Sequence, residues 1–462
     1  MVHLIVQISN FILKLFLALH RVYSVYSDLA EIWRSYPFRE IIERARNGVD
    51  AIYPRDVLKP SIMLLKGANI YKTPTRYATL DELLILPPAF TPLRLKRMSE
   101  LLREPIFSDV DLRHRIGGFD VGMPVMVASM GSVQVANKVS LEVARGAARM
   151  GVPMGVGENV ATTWGYSKRI RSSQPCFKER VLTYFEHMND GLGGVTIQQS
   201  VEDAYGELWN RVYSDPDIEP YIQKGLVGFE IKVGQGSKPG LGGEVRLSRE
   251  EAERLRDKYH FTEDPESSLR GSIERHSAPG TYVPEILRSM LRLMRNNYPR
   301  CRIWVKLGPF RDLPEVLDVL LSEGVDAVWI DGKEGGTGMS PYVSMRHLGL
   351  PLIAALCSVS GRLGVGNGSS SVIVSGRLYD GGHLVKCLCL GLDGVAFGRP
   401  VAVAGWVAGH RGVENYLKTV EIEAKMLISA LGKYSVRDLS REDLGCLDRD
   451  IAERLGLRYV YG

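Results

Sequence analysis

The stretch GFEIKVGQGSKPGLGG, residues 228–243, begins with a short run in which apolar and charged side chains alternate. Successive side chains of a strand point to opposite faces, so Phe229 and Ile231 share an apolar face while Glu230 and Lys232 share the other. A glycine-rich loop follows immediately. A short strand with an apolar outer face, a charged inner face and a flexible loop behind it is typical of a parallel barrel whose strands end at a ligand site.

Seven further short apolar runs occur along the chain, and segments with apolar residues at helical spacing separate several of them. This alternation is the signature of βα units, and eight is the number of strands that a closed parallel barrel needs. We therefore predict an α/β fold, a (β/α)₈ TIM barrel, in preference to an open doubly wound sheet. The eight runs are 124–130, 152–157, 193–199, 228–234, 302–307, 326–331, 372–376 and 394–398.

The domain organisation follows from where this alternation begins and ends. Residues 1–117 form an N-terminal extension of helices and turns, residues 118–400 form the barrel, and residues 401–462 form a C-terminal helical tail. The extension begins with an apolar segment, 4–26, that is marginal as a membrane span because Gln7, Asn10, Lys14, His20 and Arg21 interrupt it. Two interpretations stay open for it: membrane contact, as an anchor or interfacial helix, or packing on the barrel or on a partner subunit.

Composition and charge exclude several classes of function. The net charge of +5 is small for 462 residues, and no dense basic stripe indicates a nucleic-acid partner. The six cysteines form no CxxC pair, so we predict neither a metal site nor an iron–sulfur cluster in this chain. Free thiols of this kind are typical of a reducing compartment, and we expect a cytoplasmic protein, with membrane association through residues 4–26 as the open alternative.

Four polar residues lie near the carboxyl ends of four different strands, on the inner face that the alternation assigns. They are Gln198, Lys232, Lys306 and Asp331. Barrel enzymes carry their active sites at this end, and buried lysine and aspartate side chains are costly unless they are paired or used. The alternative is a set of interior salt bridges, for instance between Lys232 and Glu230.

Glycine-rich loops follow the same strand ends, and the last two of them carry arginines. Gly376 and Arg377 follow the seventh run, and Gly398 and Arg399 follow the eighth. In barrels these two loops often bind a phosphate group, because glycine lets backbone N–H groups approach the ligand. A lysine can also stabilise the negative charge that forms on the pyrimidine edge of a reduced flavin. Together these features favour FMN as the cofactor.

Two long motifs resemble the flavin domain of glutamate synthase. EIKVGQGSKPGLGG (230–243) is similar to EIKxxQGAKPGEGG of that family, and IDGKEGGTGMSPYVSMRHLGLP (330–351) is similar to SGxDGGTGASPxxSxKHxGLP. Shorter matches at 124–132, 303–308 and 375–399 occur in family order. The resemblance covers roughly residues 118–400 and identifies the barrel as similar to a glutamate synthase FMN-binding domain, in a compact archaeal-like form.

The resemblance implies reduction of 2-iminoglutarate, formed from 2-oxoglutarate and ammonia, to L-glutamate by hydride from FMN. It assigns catalytic roles to Lys232, Lys306, Gln235 and Lys238, of which Gln235 and Lys238 match the part of the motif that reaches the substrate carboxylates. It implies the following cofactor-binding set: Met130, Gly131 and Ser132 against the flavin, Gln198, Lys232 and Lys306 at its ring, Gly376, Arg377, Gly398 and Arg399 at its phosphate, and Asp331, Gly335 and Gly336 in the adjoining loop.

The sequence also departs from the family pattern. Leu241 replaces an acidic residue, HSAPGTYV (276–283) replaces HHDIYS, and the segment 401–412 lacks the three-cysteine iron–sulfur loop. No amidotransferase domain precedes the barrel. The resemblance thus implies an electron-donating subunit or ferredoxin as partner, and free ammonia or glutamine-derived ammonia from an amidotransferase subunit.

These departures from the family pattern leave three alternative functions open. A related FMN enzyme of the methylamine–glutamate methyltransferase type would act on an N-substituted glutamate. A non-redox FMN enzyme like the type 2 isopentenyl diphosphate isomerase would need a diphosphate-binding basic cluster, which the sequence does not show. A non-catalytic flavin electron-transfer subunit would account for Leu241.

Overall fold

The computed structural model describes most of the chain from residue 77 onward and one short segment before it. The described ranges are 37–48, 77–168, 174–238, 245–257, 259–268, 272–275, 280, 282–335, 347–364 and 370–462. The apolar segment 4–26, Leu241, Gly336 and most of 276–283 lie outside these ranges. The interpretations of those residues therefore stay as predictions.

Eight parallel strands form a closed barrel, as the sequence predicts. Each strand pairs with its neighbours in chain order, and the last strand pairs with the first. Some strands are shorter than the apolar runs that predict them. The second strand, for example, has three residues. In chain order the strands are β1 (Val125–Met130), β2 (Met154–Val156), β3 (Val195–Gln198), β4 (Val227–Lys232), β5 (Arg302–Leu307), β6 (Ala327–Asp331), β7 (Ser371–Ser375) and β8 (Gly394–Phe397).

Helices cover the outer face of the barrel and extend beyond it. The helices are α1 (Phe38–Asn47), α2 (Pro92–Leu101), α3 (Gln134–Arg149), α4 (Val160–Trp164), α5 (Phe177–Glu186), α6 (Val201–Tyr205), α7 (Leu208–Tyr213), α8 (Glu219–Gln223), α9 (Arg249–Leu255), α10 (Pro284–Asn297), α11 (Leu313–Ser322), α12 (Leu352–Val359), α13 (Gly381–Cys389), α14 (Arg399–Ala430) and α15 (Arg449–Leu455). Within the described ranges, no helix is both long enough and apolar enough to cross a membrane.

The longest helix, α14, begins directly after β8 and packs against α3 and α1. Non-helical backbone angles at Ala408 and Gly409 divide it into two straight parts. The boundary at residue 400 that separates the predicted barrel from the predicted tail lies in its first turn. The N-terminal and C-terminal parts of the chain also meet outside the barrel, where Leu83–Ile85 pairs with Leu444–Cys446.

A β-hairpin closes the amino-terminal end of the barrel. Its strands are His114–Ile116 and Phe119–Val121, and the apolar side chains of the hairpin pack in one buried cluster with Trp304 and other inner-face residues. The Trp304 indole N–H donates to the Gly117 carbonyl at 3.0 Å, and its ring stacks on Phe119 at 5.6 Å. This end is filled by side chains, so the polar residues of the inner face lie at the opposite, carboxyl end of the strands.

Candidate functional site at the carboxyl end of the barrel

The deepest polar layer of this end is organised around Glu230 of β4. Its carboxylate accepts hydrogen bonds from Gln198 Nε2 at 2.6 Å, Ser129 Oγ at 3.1 Å and Thr196 Oγ1 at 3.2 Å. Burial raises the pKa of Glu230, and the Lys306 ammonium group opposes that shift. Glu230 therefore accepts hydrogen bonds from side chains of β1 and β3. Its hydrogen bond with Gln198 fixes the Gln198 amide group on the inner face.

The two interior lysines lie side by side. The register of β4 and β5 pairs Lys232 with Lys306 directly, and both side chains are buried on the inner face that the alternation predicts. Two ammonium groups on adjacent strands repel each other in a medium of low dielectric constant. Their environment must therefore supply negative charge, and the two lysines obtain it from different carboxylates.

Lys232 shares its carboxylate, Glu158, with Lys238. Glu158 Oε1 accepts a charged hydrogen bond from Lys232 Nζ and another from Lys238 Nζ at 3.0 Å. Burial alone would raise the pKa of Glu158, but the two ammonium groups bring it down to about 2. Burial and the neighbouring charge of Lys232 lower the pKa of Lys238 to about 7. With both lysines protonated, this trio carries one net positive charge, which suits an anionic ligand.

Lys306 is held by Asp331 and by an aromatic face. Its Nζ lies 3.6 Å from Asp331 Oδ2 and 3.5 Å from the centre of the Trp329 ring. Burial lowers the pKa of Lys306, and Asp331 works against that shift. Ser375 completes the arrangement by donating to Asp331 Oδ1 at 2.5 Å and accepting from the Trp329 indole at 2.6 Å. Lys306 and Asp331 thus form an interior salt bridge, as the alternative interpretation of these residues expects. Lys232 pairs with Glu158 and not with Glu230.

The loops after β1 and β2 pack backbone against backbone at the rim. A Cβ atom on Gly157 would lie 2.5 Å from the Gly131 nitrogen, so a larger residue would push the two loops apart. The Gly157 N–H donates to the Met130 carbonyl at 2.9 Å, and the Trp164 indole donates to the Ser132 carbonyl at 2.9 Å. Met130, Gly131 and Ser132 are half-buried. This loop offers accessible backbone groups beside the interior lysines.

The loop after β7 brings Arg377 to a small cleft that Glu334, Leu352 and Gly376 also line. Gly376 has φ +136°, a backbone conformation that glycine adopts readily and other residues rarely do, and Arg377 has φ +55°. The Arg399 guanidinium donates to the main-chain oxygen of Glu334, which belongs to the loop after β6. Three consecutive βα loops therefore meet at this cleft.

A buried charged cluster joins the N-terminal extension to the same cleft. His383 Nδ1 lies 2.7 Å from Asp380 Oδ1, and His383 Nε2 lies 3.5 Å from Asp81 Oδ1. Burial would lower the pKa of His383, but the two carboxylates raise it to about 9. Asp81 and its neighbour Leu80 line the cleft together with Arg377. The extension therefore forms part of the wall of the site.

The remaining predicted residues lie around this centre. Gln235 is half-buried in the loop after β4, where its carbonyl accepts from the Lys238 N–H at 3.2 Å. Gly335 ends a 3₁₀ turn, and a Cβ atom there would lie 2.1 Å from Asp331 Oδ1. Gly398 lies at the rim before Arg399. Among the residues that the structure describes, no group of three or more His, Cys, Asp or Glu side chains is arranged to hold a metal ion.

Two acidic residues of the site are not predicted from the sequence, although Glu334 lies in the quoted motif 330–351. Glu158 belongs to the GVGEN loop after β2, and Glu334 belongs to the loop after β6. Strand alternation gives no direction for loop side chains, so it could not find them. The available signal was electrostatic, because interior ammonium groups require nearby carboxylates.

The donors present fit a ligand with a planar polar ring and a phosphate ester. Buried ammonium groups and the Gln198 amide lie in the interior, and the backbone of the Met130–Gly131–Ser132 loop lies beside them. Arg377 lines the cleft beside Gly376, a glycine of positive φ, and Arg399 donates to the main-chain oxygen of Glu334, which also lines it. Guanidinium and backbone N–H groups are the donors that phosphate prefers.

Comparisons with known proteins match the barrel to one family. The model of the family described as the conserved region in glutamate synthase matches residues 108–411, about two thirds of the chain. The archaeal glutamate synthase (NADPH) of Methanocaldococcus jannaschii is 26% identical over 88% of this chain and 81% of its own length. The ferredoxin-dependent glutamate synthase of Cyanidium caldarium is 30% identical over 38% of this chain and 11% of its own length.

Other archaeal-type relatives are matched over about half of their own length. Among solved structures, a mutant flavocytochrome b2 with pyruvate bound superposes with a TM-score of 0.52 at 18% identity, over 83% of this chain and 79% of that one. At this level of identity the superposition shows a shared barrel fold.

Proposed function

This chain belongs to the glutamate synthase family and is a glutamate synthase-like oxidoreductase; on that premise, we propose that it binds FMN and reduces 2-iminoglutarate to L-glutamate. The observation that carries the proposal is the trio of Lys232, Lys238 and Glu158 at the mouth of the barrel, beside Lys306 on the next strand. A buried trio with a surplus positive charge is suited to an anionic ring and to a dicarboxylic acid.

The cofactor is held at two ends in this proposal. Lys232, Lys306 and Gln198 bind the isoalloxazine ring, and the Met130–Gly131–Ser132 loop lies against it. The phosphate is bound by Arg377, Arg399 and the backbone at Gly376 and Gly398, with Asp331, Gly335 and Gly336 in the adjoining loop. When bound, FMN supplies the hydride that reduces the imine. The lysines oppose the negative charge that accumulates at the ring, which lowers the free energy of the reduced state.

The substrate is bound by Lys238 and Gln235. Their loop follows β4 directly, so the Lys238 ammonium group lies within 3.0 Å of Glu158 and next to Lys232. Burial removes water from the Lys238 ammonium group. A dicarboxylate bound beside that group would replace part of the lost stabilisation. In the chain without ligand, the pKa of Lys238 is about 7. An anionic substrate beside this group favours its protonated form and therefore raises that pKa.

Glu158 has a positioning role. It is ionised at neutral pH because its pKa is about 2, and it holds two ammonium groups at fixed separation. Its own loop is held in turn by Asp203, whose carboxylate accepts from the Asn159 N–H and the Thr162 hydroxyl, each at 2.6 Å. Asp203 thus supports the geometry of the lysine pair from outside the mouth.

Ammonia and electrons come from outside the described residues. 2-Oxoglutarate and ammonia condense to 2-iminoglutarate with loss of water, and reduction then takes one hydride and one proton. We propose an electron-donating subunit or ferredoxin as the source of electrons and either free ammonia or an amidotransferase subunit as the source of nitrogen. The relatives support the two kinds of donor, since one is named for NADPH and another for ferredoxin.

An absorbance experiment tests the proposal. The purified chain is expected to carry oxidised flavin, which light reduces under anaerobic conditions with EDTA as the electron donor. We expect reoxidation on addition of 2-oxoglutarate together with ammonium, and none with either alone. Reoxidation only with methylamine in place of ammonium would instead support the alternative of an N-substituted glutamate. A flavin that both mixtures leave reduced would contradict an iminoglutarate reductase.

A further inference from the structure

The cleft at the ends of β6 and β7 contains a carboxylate close to Gly376 and Arg377, where the proposed function places the cofactor phosphate. The cleft is lined by Glu334, Leu352, Gly376 and Arg377, among others. The cofactor belongs to the proposed function, and this inference rests on it. A negatively charged side chain in a phosphate site is unfavourable unless its charge is removed or displaced when the phosphate binds.

The Glu334 carboxylate makes the contacts that a bound anion would make. Its two oxygens accept from the Leu352 N–H at 3.0 and 3.3 Å. A Cβ atom on Gly332 would lie 2.7 Å from Glu334 Oε2, and one on Gly376 would lie 3.4 Å from it. Two glycines and a backbone donor therefore surround the carboxylate. The Glu334 main-chain oxygen is bound by Arg399 in addition, so the residue is fixed to the cleft at both ends.

The charges around Glu334 come from several elements. Asp331 of β6 and the Asp81 and Tyr77 side chains of the N-terminal extension contribute negative charge or a phenol. Arg377 and the protonated His383 contribute positive charge in the same cleft, and Arg399 contributes a guanidinium at the rim. Burial is the largest influence and raises the pKa of Glu334 to about 7; Asp331 adds to the rise and Arg377 opposes it.

We propose that Glu334 links binding of the FMN phosphate to uptake of one proton at its own carboxyl group. A phosphate ester brings up to two further negative charges into contact with the carboxylate, and a like charge at this distance favours the protonated acid. The protonated carboxyl group can then donate a hydrogen bond to a phosphate oxygen, which the ionised group cannot do. The residue changes from a competitor of the phosphate into one of its donors.

Proton uptake by Glu334 on binding determines how the affinity for FMN changes with pH. Binding that takes up a proton weakens as the pH rises above the pKa of the free group, by up to about tenfold per pH unit for one proton. The second ionisation of a phosphate ester lies near pH 6, so it contributes below this range and equally in all variants. FMN affinity should therefore fall between about pH 7.5 and pH 8.5, and riboflavin, which lacks the phosphate, should show no such fall.

The test measures flavin binding to the full-length chain after its flavin has been removed. Quenching of flavin fluorescence gives the Kd for FMN and for riboflavin at several pH values, for the native chain, E334Q and E285Q. Glu285 is an exposed glutamate at the start of α10, so E285Q is a matched control. For the native chain and E285Q we expect the Kd of FMN to rise about tenfold per pH unit above pH 7.5. E334Q should remove that rise and bind FMN about thirtyfold more tightly than the native chain at pH 8.5, which is 1.5 units above the pKa of about 7.

A second measurement does not depend on the variant. Calorimetric titration of the native chain near pH 8, in two buffers of different ionisation enthalpy, gives the number of protons taken up. We expect about one proton for FMN and none for riboflavin. Parallel pH profiles for E334Q and the native chain, loss of FMN binding by E334Q at every pH, or equal proton uptake for both flavins would each overturn the linkage. If the native chain binds neither flavin, the proposed function fails together with it.

Discussion

Replacing Glu158 by glutamine removes the only carboxylate that the structure shows in contact with both Lys232 and Lys238 among the described residues. Breaking a buried ion pair by removing one partner costs about 3–5 kcal/mol. Lys238 can release its proton readily because its pKa is already about 7. We therefore expect the lower end of that range, about 3 kcal/mol. The pKa of Lys238 should fall further, because the two ammonium groups then face each other without a counter-ion.

The melting temperature converts this value into a measurable change. The entropy of unfolding is about 2.1 cal/mol/K per residue, which amounts to about 1 kcal/mol/K for a chain of 462 residues. A loss of about 3 kcal/mol thus corresponds to a decrease of roughly 3 °C for Glu158→Gln at neutral pH. The control is Glu100→Gln, which removes an exposed partner of Arg97 and should change stability by less than about 1 kcal/mol.

A double variant separates the charge effect from a packing effect. Glu158→Gln combined with Lys238→Met removes one charge of each sign, so it should recover part of the lost melting temperature. Differential scanning calorimetry of the flavin-free chain measures all four proteins. The electrostatic reasoning would be refuted if Glu158→Gln melted with the native chain, or if the double variant were no more stable than Glu158→Gln.

Three further predictions address the proposed ligand contacts and the wall of the cleft. Lys232→Met should weaken FMN binding or make the flavin harder to reduce, and an unchanged flavin content and reduction potential would remove Lys232 from the site. Lys238→Ala should raise the apparent KM for 2-oxoglutarate while the flavin stays bound, and release of flavin would reassign that residue. The pKa of His383 is raised to about 9 from 6.5, so the stability it contributes, at most on the order of 3 kcal/mol, is fully present below pH 6.5 and is lost as the pH rises through about 9. Melting curves of the native chain and His383→Asn should therefore converge towards pH 10, and a constant difference across the range would contradict the linkage.

The sequence predicts the barrel and the inner face well because both depend on strand geometry. Side-chain alternation has a period of two, and the outer face of each strand is marked by apolar residues that pack under helices. Lys232, Lys306 and Asp331 are therefore assigned to the interior without ambiguity, and the structure has them there. The register that places Lys232 beside Lys306 comes from the structure, because adjacency of two strands does not fix their stagger.

Loop residues are less predictable because no periodicity fixes their direction. Glu158 and Glu334 each follow a strand by two or three residues, and only the folded loops bring them to Lys238 and to Leu352. The contribution of the N-terminal extension to the cleft is also a long-range contact, since Asp81 and His383 are distant in sequence. Contacts of this kind depend on tertiary packing and have no local pattern.

Measuring the product of a single turnover tests whether this chain reduces 2-iminoglutarate to L-glutamate. The flavin of the purified chain is reduced chemically without oxygen, the reductant is removed, and the protein is mixed with 2-oxoglutarate and ¹⁵N-ammonium. Mass spectrometry then quantifies labelled L-glutamate. Our account predicts about one L-glutamate per reduced flavin in the native chain. A flavin that stays reduced while no labelled glutamate forms would contradict it.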